Sequence, residues 1–154
     1  MRIFITYYQS PIGVVEILGT REHIVAVNFV DQARTGDDDL PACIQECVNQ
    51  IDAYFKGNLK RFSLKLQMQG TDFQKTVWRQ LTKIVYGQTA SYGEIAAAIG
   101  NPAASRAVGH ANGKNPIAII VPCHRIIGTD GSLTGYGGGL WRKEWLLRHE
   151  RGKH

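Results

Sequence analysis

Cys123, His124 and Arg125 stand together inside an apolar run, "AIIVPCHRIIG", residues 118–128. A thiol is a weak nucleophile until it ionises, and it ionises beside a base or a positive charge. The next two residues supply one of each. Neighbours in an extended chain point to opposite faces, so His124 serves Cys123 only if the chain turns there or a water carries the proton. An imidazole working as a base also needs a third group to orient it. The carboxylates of the second half are Glu94, Asp130, Glu144 and Glu150. Glu94 reads as part of a helix cap and Asp130 as part of a turn, "TDGS", which leaves Glu150, at the end of the last helix, as the best choice. The plain alternative is an inert buried thiol, the usual fate of cysteine.

The surrounding elements must position these groups. Pro122 lacks an N–H and forces Val121 to be extended, so "IAIIV" is expected to be a strand ending at Val121, with Cys123 and His124 at its mouth. Upstream, Thr71 or Asp72 caps a helix carrying a stripe of Phe73, Val77, Leu81 and Ile84. "SYGE" is a capping box, with Ser91 at the N-cap and Glu94 three residues on. Gly100 stops that helix. Asn101 and Pro102 are expected to start the next one at once, as N-cap and first position, and Gly113 to end it. Two short helices joined by a tight glycine turn read as a helix-turn-helix.

The first third reads differently. "RIFITYY", "VVEIL" and "IVAVNFV" are short alternating runs separated by "SPIG" and "GTREH", which makes an antiparallel meander. After the acidic loop "DQARTGDDDLP", Pro41 opens a helix to about Phe55, with Cys43, Cys47, Val48, Ile51 and Phe55 near its inner face and both cysteines as core thiols. "RFSLKLQM" is expected to add a fourth strand. The polar "QGTD" at 69–72 marks a boundary between an N-terminal α/β domain, 1–70, and a C-terminal domain, 71–154. Trp78, Trp141 and Trp145 are expected to pack helices, and His110 and His149 to be surface or capping groups, with His154 terminal.

With 154 residues, 44% apolar and 20% charged, the composition is that of a soluble globular protein of one domain or two small ones. No apolar run is long enough to span a bilayer, and "MRIFITYYQSPIG" has no continuous apolar segment of the signal-peptide kind. A cytoplasmic location with reduced thiols is the default. The net charge of +5 is unevenly spread: residues 1–72 hold 7 Lys/Arg against 9 Asp/Glu, and residues 73–154 hold 11 against 4. A basic half suggests a polyanionic partner.

The second helix of the pair, "PAASRAVGHAN", is poor in residues that read base edges. It offers Ala103, Ala104, Ser105, Ala107, Gly109 and Ala111, and only Arg106 projects a long charged chain from its middle. A thin helix fits a groove only about 6 Å wide, the minor groove, and one long residue on it could act as a wedge in the base stack. The residues alone support a reactive cysteine in a nucleic-acid-binding domain.

"NPIAIIVPCHRIIG", followed by "GYGGGLWRKEWLLRHE" and preceded by "YGQTASYGEIAAAIGNPAASRAVGHANGK", resembles the O6-alkylguanine-DNA alkyltransferase family over residues 73–150. The N-terminal part is similar more loosely, in "SPIG" and the strand pattern. The resemblance implies an α+β fold: a small antiparallel sheet with a helix, RNase H-like, then a mainly helical winged helix-turn-helix domain. It implies a single-use methyltransferase of DNA repair, acting as a monomer on double-stranded DNA containing O6-alkylguanine, with no membrane partner. It leaves O4-alkylthymine open as a second substrate.

Carried over residue by residue, Cys123 is the acceptor, His124 its base through a water, and Glu150 the group that orients His124. Asn115 holds the turn before the active segment. Tyr92 pushes the adjacent phosphate and bonds the flipped base. Arg106 fills the stack, and Ala104, Ser105 and Lys114 join it at the DNA. Tyr136, Gly137, Gly138 and Ile126 line the pocket. Ala118 stands where many members have proline, which widens the pocket, and Gly137 where some have serine, which removes a hydroxyl. Some members bind zinc through N-terminal cysteines and histidines. Only His23, Cys43 and Cys47 lie in that half, so no metal and no cofactor are expected.

Three other functions compete. Damage-binding relatives lack the acceptor cysteine, which is present here. A transcriptional regulator would need more base readers on the second helix. A Cys-His hydrolase leaves the basic half unexplained.

Overall fold

A computed structural model describes residues 1–152, so His154 lies outside the described residues. The chain divides into two compact units, Met1–Gln69 and one from Gly70 onward.

The first unit is built on a three-stranded antiparallel sheet of β1 (Phe4–Ser10), β2 (Gly13–Gly19) and β3 (Ile24–Val30), in that order. Alternation sends Val15 and Ile17 of β2 to the buried face, and Ile24 and Val27 of β3, three residues apart, are both buried across the register shift opposite Leu18 and Gly19. The Ser10 hydroxyl donates to the Gly13 carbonyl (2.6 Å) and accepts from the Ile12 N–H, which closes the first hairpin. Helix α1 (Ala42–Phe55) packs on this sheet through Ile44, Cys47, Ile51 and Tyr54.

Two expectations for this unit need correction. The inner face of α1 is centred on Ile44 and Tyr54, so Cys43 is half-exposed, its Sγ 3.3 Å from the Thr20 carbonyl, and only Cys47 is buried. The fourth strand is not formed. "RFSLKLQM" keeps its alternation of facing, but it meets β3 at a single parallel bridge, Ile24 to Leu66. The Gln50 side chain takes the backbone of Ser63, accepting from its N–H (2.9 Å) and donating to its carbonyl (3.2 Å), groups that a ladder would otherwise use.

The second unit contains α2 (Asp72–Leu81), β4 (Ala90–Ser91), α3 (Tyr92–Ala98), α4 (Ser105–Gly113), β5 (Ile126–Ile127) and α5 (Leu140–Glu150). The capping boxes are as read: Thr71 with Gln74 at α2, and Ser91 with Glu94 at α3. Replacing Ser91 by alanine removes the bond to the Glu94 N–H and is expected to cost about 1 kcal/mol, seen as a lower urea midpoint with an unchanged slope. In α2 the buried face is Val77, Trp78 and Leu81, while Phe73 is 36% exposed. Ile84 is buried but lies past the helix end, where its carbonyl accepts from Arg125.

Helix α4 begins at Ser105, not at Asn101 and Pro102. Gly100, at φ +82, closes α3: the Gly100 and Asn101 N–H groups donate to the Ala97 and Ala96 carbonyls. The Asn101 carbonyl then accepts from the Ala104 N–H at 2.9 Å. Pro102 therefore occupies the second position of a β-turn, which its fixed φ suits as well as a helix start.

The expected strand "IAIIV" is also absent. Ile119 is buried with φ 72, and the Ile120 N–H donates to the Ala118 carbonyl at 2.8 Å. This is a γ-turn of the rare, strained kind. Two trades explain it. Asn115 accepts from the Ile117 N–H (3.0 Å) and donates to the Val121 carbonyl (2.8 Å), and the Val121 N–H reaches the Ile117 carbonyl. The segment's polar groups are thus satisfied without a neighbouring strand.

Candidate active site

Pro122 bends the chain again. With φ −82 and ψ 65 it directs the Cys123 N–H back to the Val121 carbonyl, and Cys123–Arg125 then forms one 3-10 turn. All three side chains of that turn are buried. The condition set by sequence, that the chain turn between Cys123 and His124, is met by a helical turn, and Cys123 does not stand at a strand end.

His124 Nε2 lies 2.6 Å from Glu150 Oε2. Arg125 grips the same carboxylate in a fork, Nε to Oε1 at 2.7 Å and Nη2 to Oε2 at 3.1 Å. Its remaining Nη1 donates to the Ile84 carbonyl at 2.6 Å, and the Gly87 N–H points at Oε1. Burial pushes the Glu150 carboxyl up, but His124 and Arg125 outweigh it and hold it well below the usual carboxylate range. Burial lowers the affinity of His124 for a second proton, Glu150 opposes this, and Arg125 and Lys143 add to the lowering. The imidazole is therefore neutral at rest. It donates from Nε2 to the carboxylate, which leaves the lone pair on Nδ1. That nitrogen is buried and has no hydrogen-bond partner.

Cys123 is also buried. Burial pushes its thiol up, while a hydrogen bond with Asn115 and the charge of Lys143 pull it down. Cys47 has no such help, and burial drives it up to about 12. The two buried thiols thus differ in the polar groups placed around them. Asn115 has two duties, at the turn and at the sulfur. Asn112 donates to the Cys123 carbonyl (3.4 Å), and the Trp78 indole donates to the Ala111 carbonyl (2.8 Å), which ties the end of α4 to the site.

Tyr92, the first residue of α3, bonds the Thr134 hydroxyl through its own hydroxyl at 2.5 Å. Its ring lies against α4 at Gly109, where an added Cβ would come within 3.4 Å of it. The Tyr136 hydroxyl is buried without a partner and is influenced by the Cys123 charge. A Cβ at Gly137 would meet nothing within 4 Å, so the backbone there faces open space. The Gly138 carbonyl accepts from Arg142. Ile126 is buried in β5, opposite Ala90. Arg106 and Lys114 are exposed, Ala104 and Ser105 half-exposed at the start of α4.

Sequence reasoning missed Arg125 as the clamp on Glu150, Lys143 as a buried charge, and Asn112 and Thr134 as supports. A signal for Lys143 was present. Lys143, Leu146, Leu147 and Glu150 follow the i, i+3, i+4, i+7 rule of a buried helical face, and all four are buried. Trp141 lies off that face and is 57% exposed, with the Arg142 guanidinium over its ring at 4.5 Å, so it does not pack helices. His149 is buried and stacks on Trp145 and is not a surface group, whereas His110 is exposed. Among the described residues no group of three or more His, Cys, Asp or Glu could hold a metal, and no helix is long and apolar enough to cross a membrane.

Two family models match the chain: "6-O-methylguanine DNA methyltransferase, ribonuclease-like domain" over residues 3–68, and "6-O-methylguanine DNA methyltransferase, DNA binding domain" over residues 72–152. A methylated-DNA–protein-cysteine methyltransferase of Mycolicibacterium paratuberculosis is 52% identical over 147 residues, covering 93% of this chain and 89% of that protein. The crystal structure of the Mycobacterium tuberculosis O6-methylguanine methyltransferase aligns with a TM-score of 0.89 at 46% identity, over 99% of this chain and 95% of that one. The Mycobacterium tuberculosis OGT in complex with DNA aligns at 0.87 and 50% identity, over 95% and 91%.

Proposed function

The chain belongs to the 6-O-methylguanine DNA methyltransferase family, and on that premise we propose that it repairs O6-alkylguanine in duplex DNA by moving the alkyl group irreversibly to its own Cys123. The observation that carries the assignment to Cys123 is the adjacent imidazole: neutral, fixed by Glu150 through Nε2, and buried with a free Nδ1.

The thiol proton passes to Nδ1 through an intervening water. Glu150 stabilises the imidazolium that forms. The thiolate attacks the alkyl carbon as the carbon–O6 bond breaks, the electron pair leaves with guanine, and the guanine takes the proton back. The product is a thioether, which nothing in the site reverses, so each chain works once.

The O6 substituent is out of reach inside a duplex, so the nucleotide is flipped into the site. Exposed Arg106, the one long charged side chain on α4, suits the role of filling the stack. Ala104, Ser105 and Lys114 meet the backbone beside it. Tyr92 contacts the flipped nucleotide, and Tyr136, Gly137 and Gly138 line its pocket with Ile126 behind them. The exposed main chain at Gly137 offers an N–H for O6 where some relatives place a serine hydroxyl. Three free thiols, Cys43, Cys47 and Cys123, fit a reducing compartment such as the cytoplasm.

Intact-mass spectrometry after mixing with an O6-methylguanine duplex tests this. The expected result is a gain of one methyl that saturates at one per chain and maps to Cys123. Tight binding to the duplex with no gain in mass would overturn it.

A further inference from the structure

Residues 128–139 run between β5 and α5, and six of these twelve are glycine. A segment of that composition has little conformational preference of its own, yet Tyr136, Gly137 and Gly138, proposed to line the pocket, lie in it. Side-chain ties hold it in place. Arg142 of α5 donates to the Gly138 carbonyl at 2.8 Å, and Lys143 donates to the Thr134 carbonyl at 3.1 Å. A further tie runs to the helical pair: the Thr134 and Tyr92 hydroxyls share a hydrogen bond of 2.5 Å. Both residues are half-buried. The Tyr92 ring lies against Gly109 of α4, where an added Cβ would stand 3.4 Å from it. Tyr92 is therefore fixed at two points, its ring by α4 and its hydroxyl by Thr134.

Each of these hydroxyls carries one proton and two lone pairs. The bond between them uses one proton and leaves the other over. Where the remaining proton sits decides what Tyr92 can do. If the phenol donates to Thr134, it meets an incoming base as an acceptor only. If Thr134 donates to the phenol, the phenol keeps its proton for the base, and the two bonds run head to tail, each polarising the next. Alkylation at O6 removes the N1 proton of guanine, so the ring nitrogens of the flipped base not bonded to the sugar are all acceptors. The second arrangement matches that base and the first does not. Changing from one to the other needs only rotation of two hydroxyl protons, with the Thr134 backbone held by Lys143.

We infer that Thr134 is a positioning residue for the transfer, its hydroxyl donating to the Tyr92 phenol so that the phenol directs its own proton at an acceptor on the flipped base. The inference rests on the transfer reading above and on the place proposed there for Tyr92. Thr134 touches no reacting atom and acts through Tyr92 alone. The same bond sets the glycine-rich loop in register with α3, so the loop that lines the pocket and the residue that meets the flipped nucleotide are placed together.

Single-turnover methyl transfer from a saturating O6-methylguanine duplex, followed by intact mass, tests this beside a gel shift that reads binding. Thr134→Val keeps the branched shape and loses the hydroxyl. Its transfer is expected to slow about 3–10-fold, the size of one neutral hydrogen bond, with affinity for the duplex within about twofold of wild type. Thr134→Ser restores the hydroxyl and is expected to return most of the rate. A valine variant as fast as wild type would overturn the inference, and so would serine and valine variants that are equally slow.

A double-mutant cycle separates action through Tyr92 from a structural effect on the loop. Once Tyr92→Phe has removed the phenol, adding Thr134→Val is expected to slow transfer no further. A full valine effect in the phenylalanine background would mean that Thr134 works independently of Tyr92, against the inference. Absence of methyl uptake by the wild type would sink the transfer reading and this inference with it. Uptake by the wild type with an unslowed valine variant would sink the inference alone.

Discussion

Cys123→Ser is expected to abolish methyl uptake completely while leaving binding to an O6-methylguanine duplex within about twofold of wild type. Serine keeps the size of the side chain and loses one property. Its hydroxyl ionises far above a thiol, so His124, the base proposed for Cys123, does not produce an alkoxide at neutral pH. The Asn115 bond to the sulfur passes to the serine oxygen, and the rest of the site is undisturbed. The backbone bond from Asn112 to the Cys123 carbonyl and the Asn115 bonds to the turn do not use the sulfur. The residues proposed to meet DNA, Arg106 and Lys114, are exposed on and just after α4. The check is a pair of readings on one sample, intact mass for transfer and gel shift for binding. Uptake of one methyl by the serine variant would move the acceptor away from Cys123. Loss of binding together with transfer would mean that the sulfur holds the local fold.

Where each group stands in the chain decided how much was legible. The meander read correctly because its strands alternate and its turns are punctuated, and the caps of α2 and α3 read correctly because the capping box is local chemistry. The errors came where one side chain replaced a backbone partner. Gln50 at Ser63 and Asn115 at Ile117 and Val121 both remove the need for a strand where the apolar pattern asks for one. Pro102 was ambiguous in principle, since one φ serves a helix start and a turn. At the candidate site, the pairing of His124 with Glu150 was legible because carboxylates are few in the basic half. Arg125 and Lys143 were not. A charge reads as solvated by default, and only the helical spacing from Lys143 to Glu150 marks the exception.

Glu150→Gln is expected to lower transfer about 10²–10⁴-fold, the range for losing effective general-base action, and to destabilise the fold by about 3–5 kcal/mol, the cost of breaking a buried ion pair from one side. The first effect follows from His124. A neutral amide still accepts from Nε2 but no longer stabilises an imidazolium, so the proton has nowhere to go. The second follows from Arg125, whose fork closes on both oxygens and whose guanidinium stays buried when the charge goes. The pH dependence separates the two. Glu150 holds its proton more weakly folded than unfolded, so the unfolded chain binds more protons and stability falls as pH drops below the ordinary carboxylate range. The His124 shift has the same sign, with stability lost as pH falls below 6.5. Urea unfolding of the wild type should therefore show stability declining from neutral pH downward in two overlapping stages. The glutamine variant should lose the Glu150 share of the lower stage and fall less steeply below about pH 4.5, the carboxylate reference, where Asp52 and Asp130, also held below their usual range, still contribute. Equal acid slopes for the two proteins would show that Glu150 is not the paired anion that the Arg125 fork implies.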